Sequence, residues 1–485
     1  MQMIPDEFRL MSDTEATARI RECKQRLGRD LLILGHHYQT DAVIELADER
    51  GDSLELARKA AQTKATLIVF AGVHFMAETA DILTAPDQRV VLPDADAGCP
   101  MAEMASPGEV EDAWKQLSEL IDVERELLPV TYVNSSAAVK AFCGRHGGTV
   151  CTSSNAKAVL EWARKQRSRL FFMPDRHLGG NITRAAGVTD EEILLWKPYQ
   201  PNGGNAPEQV RKARVILWDG HCHVHTRFDV VQVAEARRTI PGAKVLVHLE
   251  CCRDVVAASD GAGSTSWIIR QIEAAAPGAE FVIGTEISLV ERLARQFPRL
   301  RIVPLTLSRC PNMYRNSVQD MAWVMSRPGE INVVRVPDEI RVPAREALER
   351  MLSVTAAQPS VGPKPAADGS VPSAACDLAG RACVPCKGGI PALTREVAQE
   401  FLHRAPGWVL ADDGLSIHRR FTFKDFTAAM EFARRIGELA EREGHHPVIT
   451  IGWGFCLVVF KTAKIKGLHE NDFIMAAKVN ALGAG

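Results

Sequence analysis

The sequence predicts an α/β protein made of several parallel-sheet layers, followed by a small α+β domain with an antiparallel sheet. Three observations predict it. Short aliphatic runs recur through the first 350 or so residues, each ending in Gly or polar residues and followed by a helical pattern. A Pro/Ala/Gly/Ser-rich stretch, "TAAQPSVGPKPAADGSVPSAA", then interrupts the chain with almost no large apolar residue. Beyond it the pattern changes to one strand, one amphipathic helix and a hairpin. Buried parallel strands read as continuous apolar runs because both faces of such sheets are covered.

In chain order the runs are "LLILGHHY", "TLIVFAGVHF", "RVVLPDADAGC", "PVTYVNSS", "RLFFMPDRHLG", "RVILWDGHCHVH", "KVLVHLECC", "EFVIGTEIS" and "RIVPLTLSRC". Nine strands exceed what one small sheet holds, so several layers are expected over residues 1–353. Residues 354–380 read as linker and 381–485 as the second domain. There, "SIHRRFTF" is a strand, and Phe426, Met430, Phe432, Ile436 and Ala440 mark one face of a helix. "VITIGWGFCLVVF" turns at Gly452–Gly454, and "HENDFIMAAKVNAL" closes as a helix. The segment 157–215, including the Gly/Asn/Pro-rich "PYQPNGGNAPEQ", reads as an excursion without catalytic meaning.

At 485 residues with 46% apolar and 24% charged residues, the composition is that of a globular enzyme. A net charge of −2 offers no general attraction for nucleic acid or anionic lipid. No apolar run approaches the ~20 residues that span a bilayer, and the first residues lack a secretory pattern. The expected location is cytoplasmic. In that compartment twelve cysteines are thiols or metal ligands before they are disulfides.

In open α/β sheets ligands gather beyond the carboxyl ends of strands, and here those ends hold the unusual residues. Cys99, Cys222 and Cys310 each follow a run and lie far apart in sequence. Such thiols meet only if three sub-domains point at one centre, and three thiolates leave a metal one open position. Cys222 and His225 form C-x-x-H, so a closed Cys₃His zinc site is a rival reading, and burial as small apolar residues is another. His36, His37 and Tyr38 end the first run; Tyr132, Asn134 and Ser153 supply neutral donors. His248 and Glu250 would share a face if their strand continued. Ser264 and Thr265 precede a helix, where anions are favoured, although such residues are first of all N-caps.

The ordered motifs "GDSLELA", "GVHFMAET", "LPDADAGC", "TYVNSSAAVKA", "CTSSNA", "PDRHLG", "GHCHVH", "HLEC", "GST", "IGTE" and "CPNM" resemble the quinolinate synthase family over about residues 15–330. The resemblance implies three pseudo-threefold-related α/β domains around a [4Fe–4S] cluster held by Cys99, Cys222 and Cys310. It implies condensation of iminoaspartate (iminosuccinate) with dihydroxyacetone phosphate to quinolinate, the pyridine precursor of NAD, and an iminoaspartate-producing enzyme upstream. On these motifs His36 and Ser53 bind the dicarboxylate, and Tyr132, Asn134, Ser153, His248 and Thr265 complete the pocket. Ser264 joins Thr265 on an anionic group, and Tyr38, His225 and Glu250 transfer protons, Glu250 also touching substrate.

Residues 381–480 resemble pterin-4a-carbinolamine dehydratases, on "EREGHHPVITIGW" and the leading "CVPCKGGIPALT". The resemblance implies acid/base dehydration by His445, His446 and Pro447, with Glu441 and Trp453 fitting the pattern. The family places a further His after the last strand, where this chain has Ala463. The domain therefore reads either as a second dehydratase or as a module that only assembles the chain into homo-oligomers. Cys383 and Cys386 form a C-x-x-C beside Cys376 with no assigned role.

Overall fold

All nine apolar runs are strands in the computed structural model, and they form three separate parallel sheets. The structure describes residues 4–356, 383, 393, 395–402, 405–411, 413–462, 465 and 467–483. The first sheet runs Val333–Val334, Arg89–Val91, Leu67–Ala71, Leu31–His36, Glu49–Gly51, with only the first of these antiparallel to its neighbour. The second runs Thr149–Cys151, Leu127–Tyr132, Arg169–Met173, Val215–Trp218, Ile193–Trp196. The third runs Gly261–Gly263, Lys244–His248, Glu280–Gly284, Arg301–Pro304. The central strands are buried on both faces because helices cover each sheet, as in the core that Ile33, Val69 and Ala71 build with Ile20, Met321 and Val324.

Three sequence expectations need correction. Residues 157–215 are no excursion: they contain the strand Arg169–Met173 at the centre of the second sheet and its edge strand Ile193–Trp196. The Gly/Asn/Pro stretch folds back so that Gly203 lies directly on the Trp196 ring, where a Cβ would meet the indole at 2.5 Å. The strand carrying His248 stops at that residue, so Glu250 sits in the following turn and not on a continued strand face. Residues 354–356, expected as linker, are the last turn of the helix Asp338–Ala356; the rest of 354–380 lies outside the described residues, as do Cys376 and Cys386.

The compact units are Met1–Gly369 and Ser370–Gly485. In the second, the antiparallel order is Val409–Leu410, Ile417–Thr422, Phe455–Phe460, Val448–Gly452. The helix Phe426–Glu443 buries Phe432, Ile436 and Ala440 against this sheet, whereas Phe426 and Met430, expected on the same face, are exposed. Gly444, at φ 64°, ends the helix in the left-handed conformation that glycine adopts without strain.

Candidate active site

Each parallel sheet sends one cysteine to the same place. Cys99 follows Arg89–Val91, Cys222 follows Val215–Trp218 and Cys310 follows Arg301–Pro304. Each then leads into a short helical turn: Pro100–Glu103, His225–Arg227 and Met313–Arg315. That turn aims backbone N–H groups at the sulfur. Cys99 receives them from Ala102 and Met101, Cys222 from His225, and Cys310 from Met313 and Asn312. All three cysteines line one cavity and perturb one another electrostatically.

Burial pushes these thiols up, Cys99 to about 12 and Cys310 to about 11, and Cys222 well above its ordinary value. Thiols of that kind ionise when a cation replaces the proton. Three soft donors from three directions, backbone N–H groups around the sulfurs, and an apolar wall of Val73, Phe75, Met76, Met101 and Met313 fit a thiolate-held metal centre. The Cys₃His zinc alternative fits poorly. Cys222, His225 and Glu250 do place donor atoms within 4.8 Å of one another, but both nitrogens of His225 are engaged elsewhere. Its Nδ1 lies 2.9 Å from Glu250 Oε2 and its Nε2 3.1 Å from Thr285 Oγ1.

The rest of the cavity lining is largely polar. The first strand delivers His36 and Tyr38; a Cβ at Gly35 would sit 2.8 Å from Ala47 Cβ, so glycine lets the chain pass there. Ser53 opens the helix Ser53–Gln62, Tyr132 ends the strand Leu127–Tyr132, and Ser153 follows Thr149–Cys151. These residues, with Asn134, His225, His248, Glu250 and Thr265, all line the cavity. Asn134 Oδ1 is enclosed and has no hydrogen-bond partner among the described residues, leaving an acceptor for a ligand donor. Ser264 departs from expectation. Its Oγ accepts the Trp267 N–H at 3.2 Å as the N-cap of Thr265–Glu273, and it does not line the cavity.

A continuous hydrogen-bond chain crosses the site. Tyr132 Oη donates to Glu250 Oε1 at 2.5 Å, and Glu250 Oε2 meets His225 Nδ1. His225 Nε2 meets Thr285 Oγ1, which lies 2.9 Å from Tyr38 Oη, itself 3.0 Å from Thr265 Oγ1. The His225 ring stacks on His248 at 4.3 Å. Burial alone would raise Glu250, but His225 and His248 beside it, with hydrogen bonds from His225 and Tyr132, hold it lowered. A carboxylate only accepts, so His225 carries its proton on Nδ1 and Nε2 accepts from Thr285. Burial pushes His36 and His248 down to about 3 and raises both tyrosines far above 10. The imidazoles are thus neutral and the phenols protonated around neutral pH. Thr285 was not singled out from the sequence, although "IGTE" carries it.

In the second unit the paired histidines diverge. His445 is buried and its Nε2 lies 2.7 Å from Asp472 Oδ1, with Thr462 donating to Asp472 Oδ2 at 2.9 Å. His446 is exposed and meets Glu441 at 3.1 Å. Pro447 follows and Trp453 is exposed at the hairpin turn, while Ala463 lies outside the described residues.

Residues 18–353 match the family model described as quinolinate synthetase A protein, and 391–482 match pterin 4 alpha carbinolamine dehydratase. The quinolinate synthase of Corynebacterium glutamicum is 49% identical over 364 residues, covering 74% of this chain and 92% of that protein. That of Streptomyces coelicolor is 46% identical over 359 residues, covering 72% and 91%. A crystal structure of a transcriptional coactivator/pterin dehydratase from Brucella melitensis is 35% identical, with a TM-score of 0.19, covering 19% of this chain and 99% of that one.

Proposed function

The chain belongs to the quinolinate synthase family of NAD biosynthesis, with a C-terminal domain of the pterin 4 alpha carbinolamine dehydratase family, and on that premise we propose that it condenses iminoaspartate with dihydroxyacetone phosphate to quinolinate. The observation that supports this reading is the meeting of three thiols, one from each sheet, with the polar wall of His36, Tyr132 and Glu250 in one cavity. Cys99, Cys222 and Cys310 would hold a [4Fe–4S] cluster, leaving one iron without a protein ligand. Such a cluster supplies Lewis acidity toward substrate oxygen when bound.

The side chains supply the rest. His36 Nδ1 accepts the Tyr38 N–H at 3.2 Å, which leaves Nε2 for a substrate carboxylate as a neutral donor. Ser53, Ser153 and Thr265 offer hydroxyls from three sub-domains, and Asn134 Oδ1 an acceptor. Building a pyridine ring from these substrates requires loss of phosphate and water with several proton shifts. Glu250 accepts protons at Oε1 and Oε2, and Tyr132 Oη and Tyr38 Oη return them, with His225 and Thr285 joining the two ends. In this reading an upstream enzyme delivers iminoaspartate and the reaction runs in the cytoplasm. Among the described residues no helix is long and apolar enough to cross a membrane.

The C-terminal domain serves assembly in this reading. Its two histidines face different ways, and Val448 and Trp453 expose 67% and 76% of their surface on the edge strand and its turn. V448E in the full chain, sized by light scattering, should lower the oligomeric state; an unchanged mass refutes assembly through this edge. The quinolinate reading is tested by anaerobic reconstitution with iron and sulfide, followed by product assay with both substrates. Wild type should form quinolinate and C222A none. Absence of product from iron-loaded wild type would overturn it.

A further inference from the structure

Asp52, which borders the cavity, is bonded to hydroxyls from two other sub-domains. Its Oδ1 accepts the Leu54 and Glu55 N–H groups at 3.0 Å each, capping the helix Ser53–Gln62. Its Oδ2 accepts Ser154 Oγ–H from the second sub-domain and Ser266 Oγ–H, at 2.7 Å, from the third. Ser266 Oγ also lies 3.1 Å from Glu55 Oε2. Four donors occupy the lone-pair directions of one carboxylate, so Asp52 has little left for a ligand although it borders the cavity.

The partners fall in a pattern. Asp52 precedes Ser53, Ser154 follows Ser153 and Ser266 follows Thr265. Each residue of this junction is the chain neighbour of a hydroxyl that lines the cavity, one from each sub-domain. We propose that Asp52, Ser154 and Ser266 form a positioning device that sets the spacing of the Ser53, Ser153 and Thr265 hydroxyls, and through it the affinity for the anionic substrate. Among the described residues no sheet ties these three loops together, since Ser53, Ser153 and Thr265 each stand just beyond a strand of a different sheet. Hydrogen bonds of a hydroxyl to a carboxylate are short and directional, which suits a fixed spacing. The proposal rests on the quinolinate synthase reading and deepens it.

The test uses the full chain, reconstituted with iron and sulfide, as wild type, S154A/S266A and S154T/S266T. Steady-state KM for in situ generated iminoaspartate and the Kd of quinolinate by calorimetry are measured beside iron content. S154A/S266A should raise both constants about tenfold to a hundredfold, the effect of displacing binding groups by up to an ångström, with kcat far less changed. S154T/S266T, which keeps both hydroxyls, should recover much of the loss. If the double alanine variant does not fold, S154A alone, at a half-buried position, should still raise KM without lowering kcat in step. Unchanged KM and Kd, or equal losses in KM and kcat that threonine does not rescue, overturn the proposal. Wild type that forms no quinolinate refutes instead the reading beneath it, whereas active wild type with an indifferent S154A/S266A refutes this inference alone.

Discussion

Glu250→Gln isolates the charge at the centre of the site while keeping its volume. The carboxylate holds two partners, Tyr132 Oη at 2.5 Å and His225 Nδ1 at 2.9 Å. A hydrogen bond to an ionised acceptor contributes about 1.5–3 kcal/mol against about 0.5–1.5 for a neutral one, so losing the charge weakens the pair by roughly 2–3 kcal/mol. The substitution also acts on the tautomer. An amide that turns its oxygen to Tyr132 presents NH₂ to Nδ1, which must then give up its proton to Nε2. Thr285 Oγ1 would accept where it now donates, and the link to Tyr38 would run backward. Positioned acid/base groups contribute about 10²–10⁴-fold, so kcat for quinolinate should fall by about 10²–10³. Iron and sulfide content should match wild type, because neither partner of Glu250 is a thiol. The assay is product formation normalised to bound iron. A kcat within about fivefold of wild type at full iron content would refute the relay.

Three other outcomes follow from the same structure. His36 and His248 have pKa values lowered from 6.5 to about 3 by burial, so the unfolded chain binds more protons than the folded one between these values. Their share of stability, present above 6.5, is therefore lost as pH falls toward 3, while Glu286, raised to about 7 by burial, contributes in the opposite sense; the urea midpoint should fall more between pH 7 and pH 5 in wild type than in H36Q/H248Q, and equal changes in the two would contradict the assignment. Gly144→Ala puts a Cβ 1.8 Å from the Pro343 carbonyl oxygen, an overlap that should cost roughly 1–3 kcal/mol and lower Tm; an unchanged Tm would show that the helix Asp338–Ala356 gives way freely. Full-length protein should not accelerate dehydration of a synthetic 4a-carbinolamine, and H445A should equal wild type. Acceleration abolished by H445A would instead establish a second activity.

The interior of the fold is legible in the sequence because its strands are buried on both faces. The strands that escape notice, Glu49–Gly51, Thr149–Cys151, Ile193–Trp196, Gly261–Gly263, Val333–Val334 and Val409–Leu410, all lie at sheet edges. Edges are short and one-sided, and "ERG" or "GAG" carries no apolar run. The thiols and most of the polar wall were readable from strand-end residues and their motif order. Asp52 and Thr285 were not, since their partners, Ser154 and Ser266 in one case and His225 and Tyr38 in the other, are distant in sequence. Ser264 was over-read for the opposite reason: its hydroxyl is satisfied three residues away by its own helix. The segment 157–215 misled because its Gly/Asn/Pro composition hides how tightly Gly203 packs on Trp196.

The account stands on three cysteines from three sheets holding iron together beside Glu250. Metal and acid-labile sulfide analysis of anaerobically purified full chain, with Mössbauer spectra, tests that most directly. About four iron and four sulfide per chain are expected, with one iron distinguishable from the rest and the cluster lost in C222A. A colourless protein carrying one zinc, or an iron–sulfur centre that survives in C222A, would contradict it.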